Sequence, residues 1–584
     1  MKRCPECRRD YFDDTLLYCL DDGNALLEGP ATAESSSSAV GRHDDEPATA
    51  ILSEPGAVAT GFRDVDATRL QIHTTEQTAV LQGSVVDISK AKGFNKRLLL
   101  IGIALAVIVL GAFWGFRYLN SSGISGQINS IAVLPFENKS GSSDSDYLSD
   151  GLAESLIYRL SQLPKLKVSS ASSVMRYKGQ AFDAKKIAAE LGVQAVMSGR
   201  VVQRGDSLSI SVELVDAATN TTLWGEQYEK KMSDLLATQR EIATTIADKL
   251  KLKLSGDERG ITKKYTNSNE AYQLYLKGRY QWNKRTIASL QAAAENYNQA
   301  IENDPGFALA YAGLAETYVL FQNYEVMSSA DSLPRAKAAA LRALELDDSL
   351  AEAHTALGWY YAVYEFDWAA GERELKRAIE LNPNYGTAHQ WLGEMLDRTK
   401  RFDEGLASVK RAQESDPLSP IIIFVVGTHY YYTRQYDEAI REFNQTLSLR
   451  PDFAIAYDGL CWAYERKGDM QAAIPWCRKA AELTHGSFEK AYLSRVLARA
   501  GQRDEATRTL EEIKADSARK YVTSYSLAIA YDGLGNKDAA LQYLEKDVAE
   551  RGYLAGTYAI EPALDEFRSE PRFKALLKKM NLPE

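Results

Sequence analysis

Apolar residues recur along this chain with three different periods, and one stretch has no period at all. From Leu98 to Phe116 the sequence LLLIGIALAVIVLGAFWGF runs for nineteen residues without a charge. Such a helix is about 28 Å long and apolar on every face, which predicts a single membrane crossing over 97–117. Ahead of it, residues 30–93 are rich in Ala, Ser, Thr and Gly, with SSSS at 35–38 and HDDEP at 43–47. No apolar period is sustained there, so a disordered linker is expected.

Beyond the crossing, residues 128–255 mix the periods of strands and helices. INSIAVLPF at 128–136 reads as a buried strand bounded by turn residues, and LKVSS as a second short one. YLSDGLAESLIYRLSQL places Leu152, Leu156, Ile157 and Leu160 on one helical face, and DAKKIAAELGV is a helix closed by a glycine. VQAVMSGRVVQ, SLSISVELVD and TTLWGEQY follow, joined by turns at Arg204-Gly205-Asp206 and at 216–220, and predict an antiparallel meander. The amphipathic helix SDLLATQREIATTIADKLKLKL closes the unit.

This run, IAVLPFEN through YLSDGLAESLIYRLSQLPKLKV and YKGQ to IAAELGVQAVMSGRVVQRGDSLSISVELVDAATNTTLWGEQY, resembles the TolB amino-terminal-like (FlgO-like) domain. The resemblance implies a non-catalytic α/β domain standing between a membrane helix and a helical repeat array. At Asp150-Gly151 a helix cap and turn is the expected role.

From 267 to 584 the period is that of paired helices. Asp348, Pro383, Pro417, Pro451 and His485 stand 35, 34, 34 and 34 residues apart, each at the end of a helix-turn-helix pattern. Thirty-four is the tetratricopeptide (TPR) period. Counted from Phe453 as zero, Tyr457, Leu460, Cys461, Tyr464, Ala473, Cys477, Ala480 and His485 fall at positions 4, 7, 8, 11, 20, 24, 27 and 32, those the repeat constrains. The preceding repeat supplies Val426, Gly427, Tyr430, Ala439, Phe443 and Pro451 in the same places. An all-α TPR solenoid of about eight helix pairs is expected, ending in a capping helix over about 561–580. Cys461 and Cys477 should meet between the two helices of one pair. A disulfide is open to them in an oxidising compartment, but cysteine packs well as a small apolar residue, and two buried thiols are the expectation.

Charge orients the picture. Lys90, Lys92, Lys96 and Arg97 precede the crossing, whereas Arg117 is the one basic residue after it before Lys139. The positive-inside rule then leaves the amino terminus in the cytoplasm and the carboxyl-terminal domains in the periplasm, with the chain in the inner (cytoplasmic) membrane. A net charge of -10 argues against a nucleic-acid partner.

In MKRCPECRRDYFDDTLLYCLDDG, Cys4, Cys7, Cys19 and Asp22 have the spacing of two knuckles around one tetrahedral ion, in a reducing compartment where metal is the commoner reason for such thiols. Residues 1–29 resemble the short zinc ribbons of bacterial membrane proteins, which usually carry CxxC twice; here Asp22 replaces the fourth cysteine, with Asp21, His43 and His73 as alternatives. The zinc would be structural.

Enzyme chemistry is not expected: GxxxxGK[ST], HExxH, GxSxG, HRD and DFG are all missing. Function falls instead to the repeat groove. Positions 5, 9 and 12 of a TPR face the concave side, which selects Trp359, Gln390, Glu394, Asp397, Phe424, Thr428, Tyr431, Asp458, Trp462 and Glu465. Aromatic anchors among acids predict a protein or peptide ligand of basic character. The leading reading is a membrane-anchored periplasmic scaffold; the alternative is a receptor that passes binding to a cytoplasmic partner.

Overall fold

The structure, a computed structural model, describes residues 128–141, 145–163, 165–250 and 263–584, with three two-residue strands near the amino terminus. Those strands, β1 (Lys2–Arg3), β2 (Asp10–Tyr11) and β3 (Leu27–Glu28), pair antiparallel with β1 in the centre. Cys4, Cys7, Cys19 and Asp22, the linker at 30–93 and the crossing at 97–117 lie outside the described residues. Among the described residues no helix is long and apolar enough to cross a membrane.

The α/β domain is built on a mixed sheet. Strand β4 (Ser130–Val133) runs parallel to β6 (Lys167–Val168) on one side and to β7 (Ala195–Arg204) on the other. The short β5 (Glu137–Asn138) also pairs parallel with β7. β7, β8 (Ser207–Asp216) and β9 (Thr221–Lys231) form the antiparallel meander. In β8 Leu208, Ile210, Val212 and Leu214 are buried in alternation, the period of two that puts one face on the core. The covering helices are α1 (Asp146–Ser161), the short α2 (Ala171–Met175), α3 (Ala184–Leu191) and α4 (Leu235–Lys249). The Asp183 carboxylate accepts from the Lys186 amide at the start of α3, and Gly192 ends that helix with a φ of 63°, where a side chain would be strained.

Sixteen helices then pair in order. They are α5 (Asn269–Lys284) with α6 (Ile287–Asn303), α7 (Ala308–Phe321) with α8 (Ser329–Leu346), α9 (Ala351–Tyr360) with α10 (Trp368–Leu381), and α11 (Gly386–Arg398) with α12 (Phe402–Ser415). The array continues with α13 (Pro420–Tyr432) and α14 (Tyr436–Leu449), α15 (Ala454–Arg466) and α16 (Met470–Thr484), α17 (Ser487–Arg499) and α18 (Arg503–Asp516), and α19 (Ser524–Gly533) with α20 (Lys537–Ala549). Within a pair the small residue at position 8 sets the approach: a Cβ added to Gly427 would stand 2.5 Å from the Phe443 ring.

Two sequence expectations need correction here. Cys461 and Cys477, at positions 8 and 24, form a disulfide with their Cα atoms 5.0 Å apart, not two thiols. Positions 8 and 24 face each other across the two helices of a pair, and that Cα separation is one a disulfide spans. The carboxyl terminus is also not one helix over 561–580. A 3₁₀ turn at Pro562–Phe567 is followed by α21 (Pro571–Lys579), because each proline opens a new helical segment and holds the residue before it extended.

Candidate functional site

The ten residues selected by groove position do not form an open surface. Trp359 is 2% exposed, its ring 5.2 Å from that of Trp391 and under the Arg398 guanidinium at 4.8 Å. Phe424 packs against Phe443 and Trp462, and Trp462 in turn against Tyr431 and Tyr492. Gln390 donates to Glu394 at 2.9 Å, and Thr428 donates back to the Val425 carbonyl of its own helix at 2.8 Å.

The acids are likewise engaged. His429 lies 2.9 Å from the Asp397 carboxylate, and Glu465 accepts from the buried Arg495 at 3.2 Å. Asp458 is 1% exposed, and its carboxyl oxygens have no hydrogen-bond partner among the described residues. Burial, followed by the neighbouring Glu489, holds its pKa well above the usual carboxylate range. A deeply buried carboxyl group and two that are already bonded, to His429 and to Arg495, are not a surface for a basic ligand.

Two features fill the concave face. First, the array closes on itself: the Ser487 amide donates to Glu325 at 3.2 Å, and Arg450 donates to the Lys284 carbonyl at 3.4 Å. Both contacts join early helix pairs to late ones. Second, the chain after α20 runs past the third, fourth, fifth and seventh helix pairs and is held there by its backbone. Arg398 donates to the Tyr553 carbonyl at 3.0 Å, Arg434 to Ile560 at 2.8 Å, Arg495 to Ala563 at 3.0 Å, and the Trp368 indole to Met580 at 2.8 Å. The Tyr431 phenol reaches the Glu561 carboxylate at 2.7 Å. Counting offsets assumes an empty groove, and nothing in a single repeat announces that residues 551–584 return to fill it.

An accessible cavity of about 660 Å³ lies elsewhere, where the α/β domain meets the first helix of the array. Helix α1 packs on α5 so closely that a Cβ at Gly151 would stand 3.0 Å from Leu276. Around it Arg279 and Asn283 both donate to Glu154 at 2.8 Å, and the Tyr272 phenol donates to Ser155 at 2.7 Å. The far wall comes from the turns at 382–385 and 416–422. There Asp416 accepts from Ser172 and Ser173 of α2, and Asn384 donates to the Leu166 carbonyl at 3.2 Å. The sequence reading missed this site, although YQWNKR at 280–285 interleaves rings and cations at the end of one helix.

Comparison with known proteins agrees with this architecture. Residues 127–245 match the family described as the second domain of HilA/YgeH-like transcriptional regulators, on the residues read as resembling a TolB amino-terminal-like domain. Residues 361–420 and 427–487 match the tetratricopeptide repeat family. A putative adenylate cyclase 3 of Rhizobium meliloti is 32% identical over 246 residues, 41% of this chain and 42% of that protein. The transcriptional regulator HilA of Salmonella typhimurium is 25% identical over 321 residues, 54% of this chain and 55% of its own length. The chain thus spans about half the length of the curated relatives it matches. Among solved structures, YrrB, described as a TPR protein with an unusual peptide-binding site, is 26% identical, with a TM-score of 0.23 over 32% of this chain and 93% of its own. With the 34-residue spacing, the paired helices and the family match in agreement, the helical part of this chain is a tetratricopeptide-repeat solenoid, packed on an α/β domain.

Proposed function

We propose that this chain is a membrane-anchored, non-catalytic scaffold whose TPR solenoid holds a peptide segment of a partner protein, and that residues 551–584 take that place in the absence of the partner. The observation that carries it is the row of Arg398, Arg434, Arg495 and Trp368, all donating to backbone carbonyls of the returning segment. Side chains that read a backbone hold a segment with little regard to its sequence, so a partner strand of similar shape meets the same donors. The solenoid stands on the periplasmic side in this reading. The basic residues before the crossing and the Cys461–Cys477 disulfide, a bond that persists in oxidising compartments, both support that side. The cytoplasmic ribbon holds one structural zinc through Cys4, Cys7, Cys19 and Asp22.

The experiment is a chain ending at residue 550 to which a synthetic 551–584 peptide is returned. Saturable binding that restores the melting temperature, and is weakened by Arg398→Ala with Arg434→Ala, supports the reading. A truncated chain that cannot take the peptide back rejects it. The zinc is tested separately, by metal analysis of a residue 1–30 fragment: well below one ion per chain rejects the site.

A further inference from the structure

We infer that the cavity between the α/β domain and the first helix pair is a binding site for a small organic anion with a flat apolar body. The cavity, about 660 Å³, falls in the range of sites that enclose a small molecule. Its inner wall is aromatic, with Tyr275, Tyr385 and Phe453 among its lining, and suits a flat apolar group.

Its rim is cationic. Arg176, Lys178 and Lys284 are exposed, and Arg285 is half-buried. Two of them converge, one from each domain, on one ring: the Lys178 ammonium lies 6.0 Å and that of Lys284 4.1 Å from the centre of Tyr280. Lys178 is neutralised by Asp150 at 2.7 Å, whereas Arg176, Lys284 and Arg285 form no ion pair among the described residues, although the buried Glu316 carboxylate acts on Arg285 from a distance. The Arg285 guanidinium instead stacks on Trp282, 3.6 Å from the ring centre. Two uncompensated cations, Arg176 and Lys284, with Arg285 beside them at the mouth of an apolar chamber, favour an anionic head at the rim.

Two buried polar groups of the lining point the same way. The Trp282 indole N–H and one Glu352 oxygen have no hydrogen-bond partner among the described residues, although both residues are more than nine-tenths buried. Unsatisfied buried groups are costly, and a ligand carrying an acceptor and a hydroxyl or amide would satisfy both. Burial holds Glu352 up to about 7, so that near neutral pH much of it is uncharged and does not repel an anion. A ligand seated here touches α1, α2 and α5 together and fastens the α/β domain to the solenoid.

The test is equilibrium dialysis of the full chain in lipid nanodiscs, with empty nanodiscs as blank, against naphthalene-1-sulfonate and the uncharged naphthalene-1-methanol. One saturable site that prefers the sulfonate by about tenfold or more is expected. The Lys284→Gln, Arg285→Gln double variant should erase that preference while leaving the alcohol unchanged, and Ile421→Trp, which fills the chamber from its far wall, should abolish binding of both. Unaltered melting temperatures establish that the variants are folded. The inference is overturned if the sulfonate shows no saturable binding above blank, if the two probes bind equally, or if neither variant changes binding.

Discussion

The Tyr431 phenol donates to the Glu561 carboxylate at 2.7 Å across 130 residues of sequence, and both side chains are almost wholly buried. Position 12 of a repeat is thereby joined to the segment that fills the groove. Glu561 also accepts from the Ala563 amide at 2.9 Å, so Tyr431→Phe should cost about 1–3 kcal/mol without collapsing the turn. Urea unfolding of the variant, read at 222 nm, measures it; a loss below about 0.5 kcal/mol would show that this contact does not fasten the segment.

Trp359→Ala and Trp462→Ala should each behave as a core truncation, losing about 3–5 kcal/mol of stability. Both indoles pack against other rings of the array, Trp391 for one and Phe424 and Tyr492 for the other. Thermal melting checks this. Unchanged stability would return these residues to the role of exposed anchors.

The Cys461–Cys477 bond closes a short loop, with a sequence separation of 16, and loops of about that length are worth roughly 3 kcal/mol. Thiol titration of unfolded, unreduced and metal-free protein should find three thiols per chain, five cysteines less the bonded pair. Cys461→Ala with Cys477→Ala should lower the unfolding midpoint. Five titratable thiols would contradict the bond.

Acidity should stabilise the solenoid. Burial is the largest cause holding Glu352 and Glu489 up to about 7, against an ordinary value of 4.5, with Glu316 and Glu325 respectively adding to it. Between those two values the folded chain keeps protons that the unfolded chain has released. Stability therefore falls as pH rises from about 4.5 to about 7 and levels off above, by roughly 3 kcal/mol per group. Glu489→Gln should flatten part of that slope in melts taken from pH 5 to 8; a slope unchanged by Glu489→Gln and by Glu352→Gln would refute the assignment.

Repeat period, helix pairing and the alternation of the sheet were legible because each is local: position 8 must be small, whichever repeat it belongs to. What hid the site is distance in sequence. Asp397, Tyr431 and Glu465 occupy groove positions by every local rule, yet their surroundings are set by His429, Glu561 and Arg495 on neighbouring or returning elements. The Cys461–Cys477 pair lay between these extremes. Its proximity followed from the positions, while its bonding did not, since two small apolar side chains and a disulfide satisfy the same spacing.

The contacts of Glu325 with Ser487 and of Arg450 with Lys284 change the kind of object this array is. An open solenoid obeys nearest-neighbour energetics: its end repeats fray first, and units can be added or removed at modest cost. Here the second helix pair is tied to the seventh, and the last residues of the chain are tied to the third. Fraying from either end must break a long-range contact at once, so melting should be all-or-none and loop closure should slow folding. Such an array resembles a latched ring more than a spring. Removing one repeat would misalign every latch, which fixes the number of repeats as firmly as their sequence.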